Sequence, residues 1–257
     1  MTCRFKSDHP HHLRSLKMKV DYIDHMGSDL TVVNAARVSF DKESTAVDWE
    51  YLDFGHSSGD FVAILNDNDV KLIKYLAEHN HWTPFGHCQA TFRIKAPIFV
   101  ARQLGKHQVG MVWNEVSRRY VDSEPEFYEP EVWRKKADNV KQGSSDKAVR
   151  PSLNTIPIVE WNDDDEGTTG SYLPIHSVAT EVYKRLLDEG VCHEQARMVL
   201  PQSMFCEWVW SGSLYAFARV VNLRLDPHSQ RETQEVAKQI AEFLHALFPV
   251  SYNALCN

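Results

Sequence analysis

Residues His87 to Lys95 alternate strictly: Ala90, Phe92 and Ile94 fall on one side, Gln89, Thr91, Arg93 and Lys95 on the other. A period of two predicts a strand with one buried and one polar face, as in an antiparallel sheet covered on one side. Pro97 follows, and its fixed φ suits the first position of a helix. That helix is expected to end at Gly110 or earlier. On it Arg102 and Lys106 are four apart, and so are Gln103 and His107, so each pair is expected to share a face. If Asn114 to Tyr120 is extended, Glu115, Ser117 and Arg119 point one way and Asn114, Val116, Arg118 and Tyr120 the other.

The same stretch concentrates cations. The chain has 28 basic and 35 acidic residues and a formal charge of −7, which argues against a general binder of nucleic acid or membrane surfaces. Against that background Arg102, Lys106, Arg118 and Arg119 form a local anomaly. A bound phosphate explains it, because fixed Arg and Lys donors suit phosphate oxygens. A solvated polar face is the other reading.

The 257 residues suffice for one large domain or two small ones. The longest apolar run, Ala96 to Ala101, is too short to span a bilayer. Residues 1–17 have no apolar core and do not read as a secretory signal. Five scattered cysteines without CxxC read as reduced cytoplasmic thiols. Residues 1–16 are expected to form a polar disordered tail, although His9, His11 and His12 could catch metal.

A strand is expected over Lys17–Asp24, and a helix over Asp29–Val38, capped by Ser28 and leading into Ser39. Residues 41–60 read as a surface loop. Asn68–His79 reads as an amphipathic helix with Val70, Ile73, Leu76 and Ala77 inward. Residues 134–170 read as an irregular polar excursion with one short element, Ile156–Trp161. Pro174–Glu189 is expected to be a helix facing inward through Val178, Val182 and Leu186 and stopped by Gly190. The segment 204–210 is core or interface, and Ser213–Leu223 is helical. Asp226 and Pro227 are expected to start a last helix reaching Leu247. Its positive end beside Arg224 would favour negative charge on a ligand. His79, His81 and His87 lie near Cys88, but no ligand repeats at a convincing metal spacing, so no metal is assigned.

The segment Arg102–Tyr120 resembles the motif RQxxRHRxxSxNExSxRY of the flavin-dependent thymidylate synthases. Arg102-Gln103, His107, Asn114-Glu115, Ser117 and Arg119-Tyr120 stand where that family has them. AARVSF (35–40), HWTPFGH (81–87), FRIKAPIFVARQ (92–103), ARMVLP (196–201) and NLRLDPHSQRE (222–232) are similar to further family blocks, in family order. The resemblance implies an α+β fold, mainly an antiparallel sheet packed with helices, in a single domain over 17–257. It implies reductive methylation of dUMP to dTMP. The co-substrates would be 5,10-methylenetetrahydrofolate and NADPH, the cofactor FAD, and the assembly a homotetramer with active sites between subunits.

By the same resemblance, Gln103, Lys106, Glu115, Ser117, Arg118, Arg119 and Arg197 would bind dUMP. Ser39, Thr83, Lys106, His107, Gln108, Glu115 and His228 would bind flavin. Arg224 would be catalytic, stabilising charge that develops at the N3/O4 edge of uracil. A cysteine thiolate adding to C6 is the other route to this chemistry, but no cysteine lies in a block matching such a nucleophile. The chain departs from the family at Lys106 and Gln108, which replace arginines. It also carries Gly86 in place of a glutamate, one extra residue between His107 and Asn114, and Ser213, Tyr215 and Arg219 where the family often has Asn, Arg and Asn. These departures motivate an alternative, a silent relative that binds nucleotide without flavin. A metal-dependent hydrolase built on His79, His81 and His87 is a second alternative.

Overall fold

The computed structural model describes residues 17–54, 60–121, 123–138, 144–149, 155–160 and 168–256. The expected tail over 1–16 lies outside them. In chain order the elements begin with β1 (Lys19–Met26), α1 (Asp29–Arg37) and a 3-10 turn at Val38–Phe40. The hairpin β2 (Asp48–Leu52) and β3 (Asp60–Ile64) leads to α2 (Asp67–Glu78) and a 3-10 turn at Pro84–His87. Then come β4 (Gln89–Pro97), α3 (Ile98–Leu104) and β5 (Met111–Glu115). Two hairpins follow, β6 (Trp133–Lys136) with β7 (Ser144–Val149), and β8 (Thr155–Glu160) with β9 (Thr168–Pro174). The chain closes with α4 (Ile175–Asp188), α5 (His193–Ala196), a 3-10 turn at Arg197–Val199, β10 (Phe205–Ser213), α6 (Leu214–Arg224), α7 (Arg231–Leu247) and α8 (Pro249–Leu255).

The organising sheet is antiparallel, in the order β1-β4-β10-β5. The alternating run is its second strand, with Ala90, Phe92 and Ile94 fully buried as the period of two requires. Register sets Ile94 between Val20 and Trp208, and Phe92 between Tyr22 and Trp210. Phe217 of α6 meets both Phe92 and Trp210 edge-on, and Phe243 of α7 packs against Phe92. Burying each such aromatic contributes about 2–3 kcal/mol. On the opposite face Thr91 bonds Ser211 at 2.9 Å, Arg93 pairs with Glu207 and Lys95 with Glu126. The expected α+β class, an antiparallel sheet with helices, is the architecture found.

Two polar knots fix the helices around this sheet. Gly27 turns the chain after β1 at φ +86°, and a Cβ there would meet Cys88 Sγ at 2.9 Å. Just beyond it, the buried Asp29 carboxylate accepts from the backbone N–H groups of Val250 (2.8 Å) and Ser251 (2.9 Å), capping α8. Asp69, also fully buried, accepts from Arg37 Nε (3.1 Å) and Nη2, Ser44 Oγ (3.1 Å) and Asn66 Nδ2 (2.8 Å). Asn34 adds a reciprocal pair with the backbone of Ser44, so the turn carrying Ser39 is closed at both ends.

Several local expectations are corrected. The helix after Pro97 stops at Leu104 with Gly105 as its cap, so Lys106 and His107 lie beyond it and share no helical face with Arg102 and Gln103. Extended structure ends at Glu115, and a turn closes from Tyr120 N–H to Ser117 O. Residues 41–60 contain β2 and the start of β3, and 134–170 hold strands of two hairpins in place of one short element. On α4 Tyr183 is the buried residue, Val178 and Leu186 are half-buried as expected, and Val182 is exposed. Asp226 does not start α7: its Oδ1 accepts from His228 N–H in a local turn, and the helix begins at Arg231 after Gln230. Arg224 therefore ends α6, away from the helix start that was expected to carry the positive field. No helix among the described residues is long and apolar enough to cross a membrane.

Candidate active site

The chain leaves the sheet at the edge strand β5, and two adjoining clefts open there. The larger, about 890 Å³, is walled by Glu115, Ser117, Arg118, Arg119 and the 3-10 residue Arg197. Lys95, Glu126 and Glu207 from the polar sheet face also border it. The smaller, about 370 Å³, is walled by Arg102, His107, Gln108, Glu115 and the indoles Trp113 and Trp210. Ile98, Glu115 and Cys206 border both. Both volumes lie in the range of small-molecule sites.

The turn after Glu115 shapes the larger cleft. Ser117 Oγ accepts from Arg119 N–H (3.3 Å) and Nε (3.2 Å), and the Arg119 guanidinium lies over the Tyr120 ring at 5.2 Å. Arg118 Nη1 donates to Ser123 O at 2.5 Å, tying the turn to the next wall segment. Arg197 is exposed and makes no ion pair or side-chain hydrogen bond among the described residues, and the same holds for Arg102 at the smaller cleft. Uncommitted guanidinium heads bordering a cleft suit an anion.

Behind the smaller cleft lies a fixed chain of polar contacts. Gln103 Nε2 donates to Gln230 Oε1 at 2.6 Å, and its Oε1 accepts from Thr233 Oγ1 at 3.1 Å. Arg224 Nη2 donates to the Gln103 carbonyl at 2.8 Å, and its Nε to His107 Nε2 at 3.1 Å. Burial lowers the Arg224 pKa. Burial, then the charges of Arg224 and Arg219, hold His107 below the ordinary histidine value.

Cys206 borders both clefts. Burial first, and then the neighbouring Glu115 carboxylate, push its thiol up to about 12. That environment disfavours its thiolate at neutral pH.

Of the residues expected at the nucleotide, the larger cleft gathers Glu115, Ser117, Arg118, Arg119 and Arg197. Of those expected at the flavin, the smaller cleft gathers His107, Gln108 and Glu115. Gln103 and Arg224 stand behind the walls. Ser39, Thr83, Lys106 and His228 are exposed and border neither cleft. Lys95, Glu126, Glu207 and the two indoles are wall residues that the sequence did not point to, whereas Arg102, singled out there in the cationic cluster, does line the smaller cleft. The outward position of Lys95 on the alternating strand was the available signal. His79 and His81 stack about Tyr75 at ring separations of 4.0 and 6.2 Å. Among the described residues no group of three or more His, Cys, Asp or Glu is placed to hold a metal ion.

Comparison with known proteins identifies the family. A family model described as thymidylate synthase complementing protein matches residues 21–250. A flavin-dependent thymidylate synthase of Kosmotoga olearia is 36% identical over 237 residues, covering 91% of this chain and 88% of the relative. One of Thermus thermophilus is 34% identical over 235 residues, covering 91% and 74%. Among solved structures, the UMP/dUMP methylase PolB of Streptomyces cacaoi bound with 5-Br dUMP has a TM-score of 0.66. It is 29% identical, with 93% of this chain and 94% of that one covered. A match running from β1 into α8, and including every strand of the central sheet, leaves one assignment: the chain belongs to the family of flavin-dependent thymidylate synthases.

Proposed function

We propose that the larger cleft binds dUMP and the smaller cleft a ring portion of the flavin. The reaction of the family is reductive methylation of dUMP to dTMP with FAD. The observation that carries the cleft assignment is the pair of uncommitted guanidinium groups, Arg197 at one cleft and Arg102 at the other, in a chain of charge −7. The solved relative binds a dUMP analogue, which supports the same ligand class here.

In the larger cleft Arg197 and Arg119 hold the phosphate, with the Ser117 hydroxyl completing the cradle. Glu115, on the shared wall, accepts from the ring or sugar. Arg224, braced by the Gln103 carbonyl and His107, keeps Nη1 without a partner among the described residues; it borders neither cleft of one chain, so its proposed role at charge developing on uracil belongs to a site completed by a neighbouring subunit. Thiolate addition at C6 is disfavoured, since Cys206 is held protonated. The donor set Arg102, His107 and Gln108 fits an acceptor-rich, anionic cofactor, and the smaller cleft has room for a ring system. When bound, flavin supplies the reducing equivalents that the methylation requires.

Methylenetetrahydrofolate and NADPH are the proposed co-substrates, and the cytoplasm the proposed compartment. The proposed state is a homotetramer. It accounts for Ser39, Thr83, Lys106 and His228 bordering neither cleft of one chain, because a neighbouring subunit would bring them in. Absorption spectroscopy tests the assignment. A flavin band in the purified protein that shifts on adding dUMP is expected. A protein that stays colourless after FAD is supplied would refute the flavin assignment and favour the silent relative.

A further inference from the structure

His107 stands between Arg224 and the smaller cleft. Arg224 Nε donates to its Nε2 at 3.1 Å. A guanidinium has only donors, so Nε2 must present its lone pair there. A neutral imidazole in that position carries its proton on Nδ1. The arginine cannot swing aside freely, because its Nη2 is held by the Gln103 carbonyl, and Gln103 is itself held by Gln230 and Thr233. A second proton on the ring is opposed by burial and by the charges of Arg224 and Arg219. Arg224 borders neither cleft, whereas His107 borders the smaller one. The edge given to Arg224 is Nε2; the edge left for a ligand is Nδ1.

We infer that Arg224 locks His107 as the neutral Nδ1–H tautomer, and that this N–H donates to a carbonyl or ring-nitrogen acceptor of the ligand in the smaller cleft. The tautomer follows from the contacts alone. Only the identity of the ligand rests on the flavin assignment above. A neutral, one-directional donor adds no charge to the cleft, so it selects for an uncharged acceptor on a ring. Phosphate is left to the arginines. Arg224 thus acts at this cleft as a positioning residue, fixing which edge of His107 can read a ligand.

The test uses the full chain, free of flavin, with histidine labelled at its ring nitrogens. The His107 signal is identified by its absence in His107→Asn. At neutral pH it should show a protonated Nδ1 and an unprotonated Nε2. In Arg224→Ala it should revert to the Nε2–H form usual in water. An Nε2–H ring or an imidazolium in the unaltered protein would overturn the inference. Flavin affinity, read by fluorescence quenching, tests the donor role. His107→Asn places an amide N–H near the Nδ1 position and should bind within about threefold of the unaltered protein. His107→Gln, which mimics the other edge, should weaken binding about tenfold or more. Equal loss in both variants would overturn the donor role. No flavin binding by the unaltered protein would overturn the ligand assignment, and the spectrum would still decide the tautomer.

Discussion

Replacing Asp69 by alanine should cost more than its distance from either cleft suggests. The side chain is fully buried and accepts from Arg37, Ser44 and Asn66. Removing one partner of a buried ion pair costs about 3–5 kcal/mol, because a charge is left behind without compensation. The Arg37 side chain is 26% exposed, so water can partly replace the lost carboxylate. That places the expected loss at the lower end, about 3 kcal/mol. For a chain of this length the thermal midpoint should fall by about 6–12 °C. Asp69→Asn keeps one acceptor oxygen and should lose only about 1–2 kcal/mol. The assay is thermal unfolding at fixed protein concentration. A loss below about 1 kcal/mol in Asp69→Ala would refute the reasoning, since it would mean the donors re-pair at no cost. The same knot closes the turn carrying Ser39. Flavin affinity should therefore fall in Asp69→Ala, with Ser39→Ala measured alongside. If Ser39→Ala weakens flavin binding and Asp69→Ala does not, the knot stabilises the fold without shaping the turn.

Three further outcomes are expected. Cys206→Ser should retain dTMP formation, and Cys206 in the unaltered protein should resist alkylation at neutral pH, because its thiol is pushed up to about 12; loss of turnover in a folded variant would restore the thiolate route. Arg197→Ala should raise the dUMP dissociation constant about 10–100-fold, the loss of a charge-assisted phosphate contact, as isothermal titration would measure. Burial pushes Glu232 up, but the hydrogen bond and charge of Arg134 outweigh it and hold the carboxyl below its ordinary value. A depressed carboxyl contributes stability above the ordinary glutamate range and loses it as pH falls through the folded value. Arg134→Met should therefore lower stability near neutrality by about 2–4 kcal/mol and flatten its loss on acidification, read by urea unfolding across pH.

The central sheet was legible where one side chain in two had to be apolar. Ala90, Phe92 and Ile94 announced β4, and Leu214, Phe217, Val220 and Val221 announced α6, because burial enforces those periods. The hairpin of β2 and β3 was not legible in this way. Its residues are largely exposed, so no buried face imposed an alternation, although Trp49, Tyr51 and Phe61 favour strands. The start of α7 was misplaced because Asp226 had two uses for its carboxylate, a helix cap or a turn, and the turn to His228 won. At the clefts, the motif residues were legible by resemblance, whereas Cys206, Trp113 and Trp210 join the walls only through strand register. The pairing of His107 with Arg224 spans 117 positions, and nothing local in either segment encodes it.

The pairing of β4 with β10 joins residues 110 positions apart, as in the contact of Cys206 with Ala96. Synthesis at about 5–20 residues per second puts roughly 6–22 s between the two strands leaving the ribosome. During that interval β1 can already pair with β4, but Phe92 and Ile94 have neither β10 nor Phe217 to cover them. The nascent chain therefore displays an apolar half-sheet with an open edge, a substrate for a holding chaperone and a template for aggregation. Expression should depend on translation speed between residues 97 and 205 more than anywhere else in the chain.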